Sequence, residues 1–316
     1  MTLLRTLLLG LCLVGCLALQ AQYAPTDADS DKALLWQIVT EDGQDTSYLY
    51  GTIHMIDAES FFITESTKRT FGESRTVVME VDMQEMSNPM IMFQLLPAMM
   101  MPAGTTLKDL LDEKDYERVS AAFKEKLGPM SALLDPDRMK PIISSQMLSL
   151  DGGGAGLFGG GGDEGMKSYE MEFMKMAQQS KKEMGGLETI QFQMSLFDSI
   201  PYTEQAKMLV DAVDAMEAEA NGEEVEDAAG SLDALVKLYT EQDVYGLQTM
   251  IAAESEGVGN FEDQLLTKRN ENWIPKIGDY MSKGKTFFAV GAGHLAGEKG
   301  VIALLRKEGY QVTPMK

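Results

Sequence analysis

Runs of alternating or β-branched apolar residues mark the strands of this chain. Leu34 to Val39 and Ser47 to Ile53 flank the turn-rich Asp42-Gly43-Gln44-Asp45, which predicts a hairpin. Thr64 to Ser74 reads as a short helix feeding the strand Thr76-Val77-Val78-Met79-Glu80-Val81-Asp82, whose apolar run is that of a buried strand. From about 88 to 283 the pattern turns mainly helical, with segments at 107–111, 115–127, 168–182, 204–220, 232–239 and 261–281. Strand character returns at Thr286 to Val290, a helix follows over Gly300 to Glu308, and Tyr310 to Thr313 closes the chain as a strand. The expected fold class is α/β: a central mixed sheet with flanking helices and a large helical insertion, all within one domain spanning 22–316.

Two segments of the insertion depart from ordinary composition. Residues 151–165 are glycine-rich, lack the G-x-x-x-x-G-K-[ST] order and follow a helical stretch, so they read as a mobile loop over a cleft rather than a phosphate cradle. Met79 to Met101 holds eight of the 24 methionines. Thioethers can take soft copper ions, but an adaptable apolar helix surface that lines a groove or meets a partner is the favoured reading.

The first residues carry one positive charge, Arg5, then an apolar run from Leu7 to Leu19, then small and polar residues, the pattern of an export signal over 1–21. Leu13-Val14-Gly15-Cys16 resembles a lipobox with Cys16 as the lipidated residue. Cleavage after Ala21 is the preferred alternative, because the apolar run continues beyond Cys16. Either way the folded part is expected outside the cytoplasm, as a periplasmic, secreted or lipid-anchored envelope protein, with a lipid anchor its only membrane attachment. Both cysteines, Cys12 and Cys16, lie in this segment, so thiolate sites and disulfides are excluded from the mature chain. The net charge of -22 argues against a nucleic-acid partner and otherwise describes a solvated surface.

The chemistry concentrates in very few residues. The chain has two histidines, and each stands three residues after a glycine, in Gly51-Thr52-Ile53-His54 and Gly291-Ala292-Gly293-His294. Each follows a predicted strand, and Glu80 lies near the end of a third, where α/β sheets place their ligand crevices. Two imidazoles and a carboxylate match a catalytic divalent-metal site with an open position. An isolated histidine would instead be a hydrogen-bonded core or turn residue; the pairing shifts the balance toward a site. No H-E-x-x-H helix and no G-x-S-x-G elbow occurs, which disfavours an ordinary zincin and a serine triad.

At these residues the chain resembles the TraB/GumN family, whose wider group includes the Tiki proteases. The resemblance runs from about Leu34 to Pro314 on Tyr48-Leu-Tyr-Gly-Thr-Ile-His54, Val77-Val-Met-Glu-Val-Asp82, Gly186-Leu-Glu-Thr189, Leu265-Leu-Thr-Lys-Arg-Asn-Glu-Asn-Trp273 and Phe288-Ala-Val-Gly-Ala-Gly-His294. It implies that His54, His294 and Glu80 are metal or catalytic residues, that Arg269 steadies developing negative charge, and that Glu188 is a further ligand or base. Plainer readings stand beside these: Arg269 as a salt bridge in an acidic helix, Glu188 as a carboxylate at a helix N-terminus, and Asn270 and Trp273 as residues that order their helix.

The leading expectation is an exported hydrolase, a metallopeptidase acting on a peptide or protein with zinc, manganese or cobalt. The alternatives are a non-catalytic envelope protein that binds a peptide, or haem through one imidazole, and a metal-free esterase with a histidine as general base.

Overall fold

A computed structural model describes residues 32–86, 89–128, 135–149, 165–222, 226–254 and 263–316. The expected signal segment with its lipobox at Cys16, and residues 151–164 of the glycine-rich segment, lie outside the described residues. The strands are β1 (Leu35–Val39), β2 (Thr46–Thr52), β3 (Ile56–Asp57), β4 (Thr76–Val81), β5 (Met166–Lys167), β6 (Glu183–Glu188), β7 (Thr286–Gly291) and β8 (Gln311–Met315). The helices that matter below are α1 (Glu65–Glu73), α2 (Pro89–Met99), α3 (Glu113–Leu127), α4 (Pro141–Ser149), α5 (Tyr169–Gln179), α6 (Ile190–Leu196), α7 (Tyr202–Ala220), α8 (Glu226–Thr240), α9 (Val244–Glu254), α10 (Lys268–Met281) and α11 (Val301–Lys307). None of the described helices is long and apolar enough to cross a membrane.

Six strands form one mixed sheet in the order β6-β4-β7-β2-β1-β8. Four neighbouring strands, β6, β4, β7 and β2, run parallel, and the hairpin strand β1 and the last strand β8 close one side antiparallel. This is the expected α/β class with a mixed sheet and flanking helices. Of the parallel strands, β2, β4 and β7 are buried on both faces over most of their length, which explains their largely apolar runs. Trp36, Tyr50, Phe71, Phe173, Phe287 and Phe288 fill the space between sheet and helices, and all are essentially inaccessible.

Besides the two-residue strands β3 and β5, one strand of the main sheet was hidden in the sequence. Glu183–Glu188 falls within the stretch read as helical, yet it forms the sheet edge as β6. Its Glu-Met-Gly-Gly-Leu-Glu lacks β-branched residues, and glycine weakens a strand. Tertiary packing supplies the reason: a Cβ on Gly185 would sit 2.3 Å from the Tyr280 hydroxyl, and one on Gly186 2.6 Å from the backbone nitrogen of Asp82. Lys276 and Tyr280 of α10 donate to the carbonyls of Leu187 and Gly186. Those contacts tie the glycine-bearing strand to α10.

The insertion has an apolar core of its own. Met99, Met101, Met139 and Met147 are buried there with Phe123, Ile143, Leu209 and Val213, on and around α2, α3, α4 and α7. These methionines fill a packed interior, where an unbranched thioether adapts to irregular gaps. Within 79–101, Met79, Met99 and Met101 are buried, and Met90 on α2 is open to solvent.

Candidate functional site

Parallel strands all end on the same side of a sheet, so the C-terminal ends of β2, β7, β4 and β6 bring Thr52, Gly291, Glu80 and Glu188 together. His54 lies two residues past β2, and His294 ends a short 3-10 turn directly after β7. The two G-x-x-H turns lean on each other. A Cβ on Gly51 would stand 2.7 Å from Leu295 Cδ1 and 3.1 Å from the Ala292 Cα, so the first motif's glycine makes room for the second motif's turn. Gly291 serves the site in another way, since its N–H donates to Glu80 Oε1 at 2.8 Å, while a side chain there would crowd the same oxygen at 3.2 Å.

The inner half of the site is a saturated hydrogen-bond network. Arg269, on α10, donates through Nη2 to Glu80 Oε2 at 2.6 Å, through Nε to Glu188 Oε1 at 2.9 Å, and through Nη1 to the Leu265 carbonyl at 3.0 Å and His294 Nε2 at 3.2 Å. The Leu265 carbonyl is presented by a wide π-type turn, Asp263–Thr267, that enters the helix. Gln193 of α6 bridges the two carboxylates at 3.1 and 2.9 Å, and the Trp273 indole donates to Glu188 Oε2 at 3.0 Å. Two carboxyl groups thus share one guanidinium. Arg269 forms ion pairs, with the strand glutamates Glu80 and Glu188 rather than within its own helix. Its N–H groups are all engaged, none facing open space.

The tautomer of His294 follows from its neighbours. The Asn270 amide nitrogen donates to the carbonyl of Lys299 at 2.8 Å, which turns its Oδ1 toward His294 Nδ1 at 2.6 Å. Nδ1 therefore carries the proton, and the Nε2 lone pair points at Arg269 and lies 3.7 Å from Glu80 Oε1. Burial, aided by the Arg269 charge against the pull of Glu80, pushes the His294 pKa down to about 3, so the ring is neutral at physiological pH. Burial alone would raise the Glu80 carboxyl. The surrounding cationic groups, among which Arg269 keeps its charge where His294 is neutral, and the Gly291 N–H outweigh burial and hold Glu80 well below the usual carboxylate range.

His54 occupies the open rim. Its side chain is 79% exposed, and its Nδ1 meets Glu170 Oε1 at 3.1 Å. The Glu170 carboxylate beside it raises the imidazole pKa. Glu170, from α5 in the insertion, is held in turn by Thr52 Oγ1 at 2.7 Å and Ser168 Oγ at 3.0 Å. Helix α8 also reaches this motif, where the Tyr239 hydroxyl donates to the Gly51 carbonyl at 2.9 Å.

The structure thus gathers Glu80, Glu188, Arg269 and His294 in one network and places His54 at its mouth. Asn270 and Trp273 do more than order a helix, since their side chains bind His294 and Glu188. Glu170 and Gln193 carried no signal in the sequence, because nothing in a helix first turn marks which distant strand end it will face.

The donor chemistry fits a divalent ion. His294 is neutral with its Nδ1–H held by an outer partner, as metal-binding histidines are, and its Nε2 lies 3.7 Å from Glu80 Oε1; that Nε2 accepts from Arg269 Nη1, a contact an ion bound there would replace. Two carboxylates against one guanidinium also leave the pocket a negative balance. Among the described residues, however, no three His, Asp or Glu side chains already stand close enough to hold an ion together.

An α/β sheet whose parallel strand ends carry two G-x-x-H turns around a buried glutamate–arginine network defines a class of protein. The chain belongs to the TraB/PrgY/gumN family, whose model matches residues 34–314. It is 25% identical over 322 residues to Metalloprotease TIKI1 of Danio rerio, covering 89% of this chain and 62% of that protein. Metalloprotease TIKI1 of Homo sapiens is 24% identical over 360 residues, covering 97% and 68%. Metalloprotease TIKI2 of Xenopus tropicalis is 24% identical over 301 residues, covering 84% and 57%. The chain spans about three fifths of the length of the first of these relatives. No solved structure matches it.

Proposed function

We propose that this protein is an exported, metal-dependent peptidase in which His294, Glu80 and His54 hold a divalent ion. The observation that carries the reading is the pair His294 Nε2 and Glu80 Oε1, 3.7 Å apart, one neutral and one ionised, with outer partners that fix both. Its coarse part, a hydrolase of the protease kind, has the support of distant similarity to proteins named metalloproteases. A divalent ion here would serve as a Lewis acid that polarises a scissile carbonyl. Arg269 and Gln193 keep the Glu80 and Glu188 carboxylates oriented, Asn270 keeps the His294 lone pair inward, and His54 closes the set from the rim. The substrate is a peptide or protein, and the ion is zinc, manganese or cobalt.

The test is elemental analysis of the protein, isolated without its N-terminal segment after growth with mixed divalent metals, together with peptide cleavage. About one ion per chain and cleavage are expected, both lost in His54→Ala and His294→Ala. Cleavage retained by both variants would remove these residues from the mechanism. Export is supported by the apolar run Leu7 to Leu19 and is tested by N-terminal sequencing of the processed chain, with Gln22 expected as the first residue.

One observation favours a second reading. Glu170 on Nδ1 of an exposed His54 is the pairing that orients a general base, which suits metal-free ester or amide hydrolysis. Hydrolysis that survives exhaustive chelation would select it over the first.

A further inference from the structure

We infer that Glu170 is a positioning residue for His54: from the insertion helix α5 it fixes the exposed imidazole so that the neutral ring keeps its proton on Nδ1 and offers the Nε2 lone pair to whatever the site binds. The inference rests on the proposed reading for its purpose, since that reading makes His54 a ligand, but not for its geometry.

A solvent-exposed imidazole has no reason to keep one rotamer or one tautomer. Neutral histidine in water favours the proton on Nε2, which would turn a donor, not a lone pair, toward a cation. The tautomer in a protein is set by the partner of the other nitrogen. Here that partner accepts only. Glu170 Oε1 takes the hydroxyl proton of Thr52 at 2.7 Å and lies 3.1 Å from His54 Nδ1, and Oε2 takes the Ser168 hydroxyl at 3.0 Å. A carboxylate so held is left to receive Nδ1–H.

The carboxylate also stands on a rigid base. Its side chain is 15% exposed, beside an imidazole that is 79% exposed. It belongs to the first turn of α5, where the helix dipole favours an anion, and the adjacent Tyr169 and Phe173 are fully buried. The residues just after His54 and just before Glu170 are tied together, because β3 pairs with β5 and the Ala58 N–H donates to the Gly165 carbonyl at 2.7 Å. A chance surface ion pair has none of these supports and contributes little order. The insertion therefore does more than flank the sheet: it sets the chemistry of the first G-x-x-H motif.

With two histidines in the chain, the tautomers can be read without ambiguity. In metal-free protein with 15N-labelled imidazoles, carbon-bound ring protons are correlated with the ring nitrogens at a pH above the titration of both rings. Wild type is expected to show two Nδ1–H rings. Glu170→Ala is expected to move His54 to mainly Nε2–H while the His294 signals stay in place, which shows that the fold persists. A His54 ring that is Nε2–H in wild type overturns the inference without any variant, and so does a ring that stays Nδ1–H in Glu170→Ala. Titration with Co2+ alone separates this from the proposed function: where wild type binds, Glu170→Ala should bind about 10- to 100-fold more weakly. Absence of Co2+ binding by wild type would count against the metallopeptidase, while the tautomers would still decide the role of Glu170.

Discussion

His54 and His294 occupy the same place in the same four-residue motif, each just past a parallel strand, and they live in opposite surroundings. His294 is 5% exposed, with Asn270, Arg269, Glu80 and the Trp273 ring against it; His54 is 79% exposed and has Glu170. What separates them is the cover that each strand end receives. Helix α10 lies over the end of β7 and carries Arg269, Asn270 and Trp273 onto His294, whereas beyond the end of β2 the first turn of α5 supplies one carboxylate to His54. A local motif therefore sets where an imidazole begins, and its neighbours set its charge, tautomer and mobility.

That contrast can be broken most severely at Arg269. Arg269→Ala leaves two buried carboxylates without their cation and is expected to destabilise the protein by about 3–5 kcal/mol in urea denaturation. Arg269→Lys should recover only part, because a lysine cannot reproduce the fork that reaches both glutamates. A loss under about 1 kcal/mol would mean that the inner network is not held by this residue. His294→Ala should cost about 1–3 kcal/mol, since Asn270 and Arg269 each lose a buried partner.

Gly51→Ala tests whether the two turns really share their space. The added methyl meets Leu295 Cδ1, which can move, and the backbone of Ala292, which cannot, so about 1–2 kcal/mol of overpacking is expected. The His294 ring resonances should shift although the change lies in the other motif; unshifted resonances would separate the motifs. His54→Ala sharpens the comparison from the opposite side. Its stability should stay within about 0.5 kcal/mol of wild type, the usual range for an exposed side chain. A cost near that of His294→Ala would erase the distinction between a structural and an open imidazole.

Legibility tracked the range of the interaction. Strands β1, β2, β4 and β7 announced themselves through apolar runs of β-branched and aromatic residues, and the β1–β2 hairpin through its turn. The edge strand β6 did not, because its glycines answer to Tyr280 on α10 and to the β4 end at Asp82, both remote from it in the chain. Likewise Glu80 and the two histidines were visible as chemistry at strand ends. Glu170 and Gln193 were ordinary polar positions on helices, and Asn270 and Trp273 read as residues that order their helix.

The sequence by itself determined the strands β2, β4 and β7 and hence a crevice where their ends coincide, because burial on both faces demands largely apolar runs and side chains emerge in order from a strand end. It also determined the ligand-type residues placed there. The tertiary structure alone decided that His294 is neutral and locked, that Arg269 is shared between Glu80 and Glu188, and that His54 answers to a helix of the insertion. Protonation, tautomer and hydrogen-bond partnership depend on dielectric surroundings and on distances of about 3 Å between groups remote in the chain, and no local pattern of residues encodes those.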